Sequence, residues 1–156
     1  MSGSFHDFDI SLDFDSENVE RSQVKVIIEV ASIDTRNERR DNHLRSGDFF
    51  DVENFPRMTF ESTSVRRAGP DRMVVTGNLT IKGVTREIDL PITLLGIKNL
   101  PPQMQEMFGG ITQVASFTAD TEVDRRDFGV GVGTWAETAV VGAEVQISIA
   151  LEANRK

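Results

Sequence analysis

The feature that most constrains this chain is the two-residue period of its apolar side chains. In the segment 8–14, Phe8, Ile10, Leu12 and Phe14 alternate with polar residues. This period puts every second side chain on the same face of a β-strand. The same alternation recurs, fully or in part, in the segments 23–30, 58–63, 73–81, 87–94, 114–123 and 139–152. The chain is therefore predicted to consist mainly of half-buried strands.

Turn-forming residues separate several of these segments. Residues 15–18, 68–71 and 82–85 contain Asp, Asn, Gly or Pro and join neighbouring strands at hairpin distances. Sequential strands are therefore expected to pair antiparallel. Two stretches break the strand pattern: 35–54, which is charged and compatible with a helix, and 99–110, which contains two prolines and ends in two glycines.

The strand pattern leaves two architectures open. Amphipathic antiparallel strands either stack as two sheets or close into a barrel, because they need a shared apolar interior and protected edges. The interior is then either a packed core or a tunnel for an apolar ligand. With 156 residues and no internal repeat or linker, the chain is expected to form one all-β domain over 1–156.

Composition narrows the function classes. The formal net charge is −8, which disfavours nucleic acids and anionic membranes as partners. The chain has no cysteine and no long apolar run, so we expect no disulfide, no thiolate metal site and no stable helical membrane insertion. Residues 1–6 show neither the basic region nor the apolar region of a secretory signal, so the sequence does not predict export. We expect a cytoplasmic protein if this is the natural N-terminus, and a periplasmic or secreted one if a signal has been removed.

The sequence contains few residues that indicate a catalytic site. His6 and His43 are the two histidines of the chain, so a compact zinc site is not expected. The glycines of the segment 128–133 lack the strand-then-helix context of a dinucleotide site. A catalytic triad that uses His43 stays open, because triads assemble in space, but no nucleophile-elbow motif supports it. We therefore expect no catalytic residue, metal or catalytic cofactor.

Three ordered motifs carry a family resemblance. The segment 31–51, followed by 55–63, closely resembles the signature of the YceI-like family. A second match is Val75 to Thr85, and a third is Arg126-Asp127-Phe128-Gly129. The resemblance covers nearly the whole chain. It implies a lipocalin-like, eight-stranded antiparallel β-barrel whose interior holds an isoprenoid such as a polyprenyl quinone or a polyprenyl phosphate, often in a homodimer.

The chain departs from the family at its start. YceI-like chains usually begin with an Asp-x-x-His-Ser strand and a second strand that leads into a Gly-x-Phe element like Gly3-Ser4-Phe5. Met1 lies almost at that element, so the first strand and most of the second are expected to be absent. Such a barrel would have unpaired edges and a lateral slit. A trimmed chain, a partner that adds a strand, or an open barrel would each explain it, and we favour a trimmed chain or a homodimer.

The candidate lipid-binding residues lie on the predicted inner faces. Each CH₂ group that they bury would stabilise a bound tail by about 0.8 kcal/mol. The alternative is that they only fill a core, and periodicity supports both interpretations equally. The candidates for the barrel wall are Phe8, Ile10, Leu12, Val26, Ile28, Phe60, Leu79, Ile88, Leu90, Val145 and Ile147.

The polar mouth of the barrel is expected in the segment 35–46. Its head-group candidates are Arg39, Arg40, Asp41 and His43, since arginine can bind a phosphate or a quinone carbonyl. Alternatively, Asp41 and His43 fasten this segment to the barrel and the arginines form a solvated helical face. A neutral quinone-like head group suits a chain of net charge −8 more easily than a diphosphate.

The expected function is non-catalytic binding or carriage of an isoprenoid or other long-chain lipid in the barrel interior. The alternative is a stress-related interaction module with a packed core. Such a module would dimerise or recruit a partner through an exposed strand edge.

Overall fold

The computed structural model describes residues 3–15, 17–131 and 144–155. These ranges form nine strands, two α-helices and three short 3₁₀ turns. The strands are β1 Ser4–Phe5, β2 Phe8–Asp13, β3 Gln23–Glu29, β4 Ile33–Asp34, β5 Arg57–Gly69, β6 Arg72–Ile81, β7 Val84–Asn99, β8 Gln113–Asp124 and β9 Glu144–Arg155. The helices are α1 Glu38–Arg45 and α2 Pro102–Met107, and the 3₁₀ turns are Val19–Arg21, Val30–Ser32 and Arg125–Phe128.

Seven strands form one antiparallel sheet in the order β2-β3-β5-β6-β7-β8-β9. Apart from the short β4, which lies in another sheet, strands that are adjacent in this sheet are consecutive along the chain, as expected for strands joined by hairpins. The antiparallel all-β prediction is confirmed. β1 and β4 form a separate two-stranded sheet, so the described part of the main sheet has seven strands rather than the eight that the resemblance implied.

The sheet curls into a half-barrel with its apolar residues on the concave face. Register shifts interrupt the pairing after Ser62 in β5 and after Leu94 in β7, and such bulges increase the local bend and twist of a strand. β2 and β9 are the two edges, and each pairs on one side within the described residues. Among the described residues, β2 and β9 therefore do not pair with each other, and the sheet is not closed by hydrogen bonds into a complete barrel.

The α1 end of the half-barrel is closed by packed chain. Asn37 caps α1, because its side chain accepts a hydrogen bond from the backbone N–H of Arg40 at 3.1 Å. Leu44 of α1 and Phe49 just beyond it are both buried. Lys82 Nζ, in the β6–β7 turn, donates to the carbonyl oxygen of Gly129 at 3.1 Å and so ties that turn to the chain after β8.

The opposite end of the half-barrel carries the β5–β6 hairpin and α2. α2 buries none of its side chains. The stretches 35–54 and 99–110, predicted to break the strand pattern, contain the two α-helices. β9 begins at Glu144, so residues 139–143 of the segment predicted as its start lie outside the described residues. No helix in the described ranges has the length and apolar character that a membrane span requires.

Candidate functional site

The strand register gathers predicted wall residues into rows across the concave face. Ile10 lies opposite Val26, Val26 lies opposite Phe60, and Phe60 lies opposite Leu79. Opposed residues in antiparallel strands project from the same face of the sheet. Four candidates from four strands therefore form one continuous apolar row.

The predicted wall residues differ in burial. Val26, Phe60, Leu79 and Leu90 are buried in the core. The half-buried members are Ile10, Leu12, Ile28, Ile88 and Ile147, which pack against that core. The central strands thus supply the covered part of the wall, and several half-buried members lie on the edge strands.

Phe8 and Val145 are the most exposed of these candidates, at 55% and 40%. Phe8 lies at the start of β2, and Val145 lies near the start of β9 opposite the buried Val123. Both belong to edge strands, where one flanking strand rather than two covers a side chain. The structure therefore does not bury these two predicted wall residues.

The buried polar side chains of the described residues lie at the ends of the half-barrel. They are Ser22, Thr35, Asp41 and Arg125. Arg125 Nη1, for example, donates to the carbonyl oxygens of Val130 at 2.9 Å and Gly131 at 2.6 Å. These hydrogen bonds fix loops, as buried polar groups usually do. Between the ends, the buried side chains of the described concave face are apolar.

A cavity of about 210 Å³ opens at the end away from α1. We call it the hairpin cavity, because the β5–β6 hairpin forms much of its rim. Its walls include Phe14, Arg67, Arg72, Met73, Leu94 and Ile97. Sites that enclose a complete drug-sized ligand have volumes of roughly 300–1,000 Å³. The hairpin cavity can therefore hold one end of a long ligand rather than all of it.

Two of the predicted head-group residues bind Thr35. The buried Asp41 carboxylate accepts from the Thr35 backbone N–H at 3.0 Å and from its hydroxyl at 2.5 Å. Arg40 donates from Nε to the Thr35 hydroxyl oxygen at 2.8 Å and from Nη2 to its carbonyl oxygen at 2.6 Å. Asp41 and Arg40 thus fasten α1 to the residue that directly follows β4.

The other two predicted head-group residues lie nearer the surface of α1. The His43 ring nitrogen Nε2 is 2.9 Å from Asp48 Oδ2, and the ring packs edge to face on Phe49 with 5.1 Å between centroids. Arg39 is exposed. α1 brings the four candidates onto one short element, while the hairpin cavity lies at the other end of the sheet.

Sequence reasoning did not single out Arg67, which lines the hairpin cavity. The available signal was its spacing of two residues from the apolar Val65, which puts both side chains on one face of a strand. That signal was weak because the segment predicted for this strand ended at residue 63. The strand continues to Gly69.

The described carboxyl groups with perturbed pKa values lie at the surface. Hydrogen bonds from the Arg126 side chain and backbone N–H lower the pKa of Asp124 to about 2. A shared hydrogen bond with Glu144 and repulsion from its charge raise the pKa of Glu122. Glu122 and Asp124 flank the inward-facing Val123, so they project from the convex face. Neither can act on a ligand in the interior.

Comparison with known proteins assigns this half-barrel to a family. The YceI-like domain matches residues 1–153. The chain belongs to the YceI-like family. A UPF0312 protein of Pseudomonas paraeruginosa is 38% identical over 154 residues, which cover 99% of this chain and 74% of the relative.

Solved structures share the fold of this YceI-like chain. The Campylobacter jejuni YCEI protein superposes with a TM-score of 0.85 at 30% identity, covering 99% of this chain and 85% of that one. A polyisoprenoid binding domain from Saccharophagus degradans, implicated in plant cell wall breakdown, superposes with a TM-score of 0.59 at 13% identity. That match covers 93% of this chain and 91% of the domain, and at this identity it shows the fold alone. The lipocalin-like fold implied by the resemblance is confirmed.

Proposed function

We propose that this YceI-like protein binds a polyisoprenoid lipid, of the polyprenyl quinone or polyprenyl phosphate type, without catalysing a reaction on it. The observation that carries the proposal is the apolar row of Ile10, Val26, Phe60 and Leu79 on the concave face of a sheet whose described edge strands do not pair with each other. The name of the Saccharophagus degradans domain supports the same ligand class for this fold.

Burial alone provides enough free energy to hold such a tail. A tail of about four isoprene units gains on the order of 15 kcal/mol when it leaves water completely. Association costs about 4–15 kcal/mol in lost motion before any ordering of side chains. Binding is therefore favourable for a long tail and marginal for a short one, and it needs no reactive group.

The tail would lie against the surfaces that the protein itself leaves half-covered. Ile10 and Leu12 on β2 and Ile147 on β9 are half-buried and pack against the core on the inner sides of the two edge strands. A chain lying between these strands would remove their remaining apolar surface from water. It would reach the hairpin cavity beside Phe14, which lies directly beyond β2.

Two measurements test the proposal. Organic extraction of purified protein should release stoichiometric isoprenoid, and added polyprenyl quinone should raise the melting temperature of lipid-free protein. Leu12→Asn should reduce the rise, because it puts an amide where the tail would lie. Ser11→Asn is the matched control, since Ser11 is exposed on the opposite face of β2. Failure to recover lipid, together with an unchanged melting temperature, would overturn lipid binding.

A second candidate function is an interaction module that forms a homodimer or recruits a partner through a strand edge. The supporting observation is that β2 and β9 each have one unpaired side within the described residues, and such edges readily add a strand. Concentration-dependent dimerisation of lipid-free protein in sedimentation experiments would favour this candidate. A monomer at all concentrations would oppose it.

A further inference from the structure

The inner face of the half-barrel ends in an arginine at the hairpin cavity. Arg67 on β5 lies opposite Met73 on β6, and Met73 lies opposite Ile92 on β7. Met73 and Ile92 are buried. Because opposed residues share a face, Arg67 continues this apolar row on the concave side.

The guanidinium of Arg67 is largely free to bind an external acceptor. Its one hydrogen bond within the described residues runs from Nη1 to the Pro70 carbonyl oxygen at 3.4 Å, which is long for an N–H···O bond. It forms no ion pair with a described acidic residue. A guanidinium carries five N–H donors in a planar fork that matches the oxygens of a phosphate.

Two arginines at the α1 end donate most of their hydrogen bonds to the protein itself. Arg40 gives Nε and Nη2 to Thr35, and Arg45 donates to the carbonyl oxygens of Ala31 at 2.9 Å and Ile33 at 3.1 Å. These contacts occupy N–H groups of Arg40 and Arg45 that would otherwise be available to bind a head group. Arg40 and Arg45 are therefore less suited than Arg67 to bind an anionic group, and the exposed Arg39 is the comparison residue at that end.

The charged groups around the hairpin cavity favour an anion over a cation. Arg67 and Arg72 line the cavity together with one carboxylate, that of Asp71. The apolar side chains Phe14 and Leu94 line the same space. Two guanidinium groups beside apolar walls match a molecule that joins an oxyanion to a hydrocarbon tail.

We infer that the hairpin cavity holds the phosphate head group of a prenyl lipid, with Arg67 as its principal hydrogen-bond donor and the tail directed into the half-barrel. This inference rests on the proposed function and assigns the orientation of the lipid. The cavity volume of about 210 Å³ suits a head group and the first part of a tail. The sequence favoured a neutral head group because the net charge of the chain is −8, whereas Arg67 and Arg72 supply local positive charge at this cavity.

The test compares two ligands that share a tail. Binding of farnesyl phosphate, farnesol and inorganic phosphate is measured calorimetrically for the natural protein and for three arginine variants. Arg67→Gln removes the inferred donor. Arg66→Gln is the matched control, since Arg66 lies opposite Val74 on the other face of β5. Arg39→Gln removes the same charge at the α1 end.

We expect Arg67→Gln to weaken farnesyl phosphate binding about tenfold, as for the loss of a charge-assisted hydrogen bond, and to leave farnesol binding unchanged. Arg66→Gln and Arg39→Gln should change both affinities less than about twofold. Equal weakening by Arg66→Gln or Arg39→Gln would overturn the inference, because a general charge effect would then explain the result. Inorganic phosphate that binds as tightly as farnesyl phosphate would also overturn it and indicate a site for free phosphate.

The same experiment separates this inference from the proposed function. If farnesol binds and Arg67→Gln does not alter the preference for farnesyl phosphate, the head-group assignment fails and lipid binding stands. If neither prenyl ligand binds the natural protein, both fail. Equal melting temperatures of the ligand-free variants would show that the exposed substitutions leave the fold intact.

Discussion

The rings of Phe14 and Phe117 pack edge to face, with 5.0 Å between their centroids and 78° between their planes. Phe14 directly follows β2, one edge of the sheet, and Phe117 lies on β8, next to the other edge. Contact between residues so far apart in the strand order requires the sheet to curl back on itself. This aromatic pair thus joins the two sides of the curled sheet beside the hairpin cavity, which Phe14 also lines.

Replacing Phe14 tests the contribution of this contact to the curled sheet. Phe14→Ala should lower the free energy of unfolding by about 2 kcal/mol, less than for a fully buried phenylalanine because Phe14 is half-buried. Urea denaturation measures the change. Phe8→Ala is the control on β2 and should cost less than about 1 kcal/mol, since Phe8 is 55% exposed. Equal losses for the two variants would show that the aromatic pair has no special role.

Gly77 provides a second test, because the chain packs directly against its Cα. A Cβ atom there would lie 2.6 Å from the Glu61 carbonyl oxygen and 2.6 Å from the Phe60 ring. Gly77→Ala should therefore destabilise the protein by about 2–3 kcal/mol as β5 and β6 separate locally. Gly96→Ala is the matched control, since nothing lies within 4 Å of its added Cβ. The control should leave the unfolding free energy unchanged or raise it by up to about 1 kcal/mol. Tolerance of Gly77→Ala would contradict this close packing.

The alternation of residues such as Phe8, Ile10 and Leu12 was sufficient to predict the strands, because one face of each strand is buried and the other is solvated. It could not predict how far each strand extends. β5 and β7 continue beyond their predicted segments, through the bulges after Ser62 and Leu94, where the two-residue period shifts. The contact of Phe14 with Phe117 was equally invisible, since it depends on the curl of the whole sheet.

Less of the candidate site could be predicted than of the fold. The apolar row follows from periodicity, but exposure at Phe8 and Val145 depends on which strands become edges. The charged segment around α1 was visible in the sequence, whereas the bonding of Arg40 and Asp41 to Thr35 depends on tertiary contact. Composition does not distinguish an arginine that fastens a loop from one that is free to bind a ligand.

The Asp41–Thr35 contact leads to a third prediction. Asp41→Ala should destabilise the protein by about 2–3 kcal/mol, because it leaves the buried Thr35 N–H and hydroxyl without their acceptor. Asp48→Ala is the control, since it removes an exposed carboxylate that pairs with His43 and should cost less than about 1 kcal/mol. Urea denaturation at neutral pH measures both. A negligible loss for Asp41→Ala would show that this contact does not hold α1 in place.

The ion pair of Asp124 and Arg126 predicts a pH dependence. The Arg126 side chain donates to Asp124 from Nε at 3.0 Å and from Nη2 at 2.7 Å, and its backbone N–H donates at 2.9 Å. These hydrogen bonds lower the pKa of Asp124 from 3.8 to about 2. Because the pKa of Asp124 is lower in the folded state, ionisation of Asp124 stabilises the fold above pH 3.8. This stabilisation is lost as the pH falls towards 2.

Arg126→Gln should therefore raise the pKa of Asp124 towards 3.8, though not fully, because the backbone N–H of residue 126 still donates. Carboxyl carbon shifts followed by NMR during an acid titration measure this pKa directly. The free energy of unfolding of the variant should also fall less than that of the natural protein between pH 4 and pH 2. The reason is that ionisation of Asp124 stabilises the folded variant less. Arg66→Gln, on a different strand, should leave the pKa of Asp124 unchanged. An unaltered Asp124 pKa in Arg126→Gln would mean that the side-chain ion pair does not persist in solution.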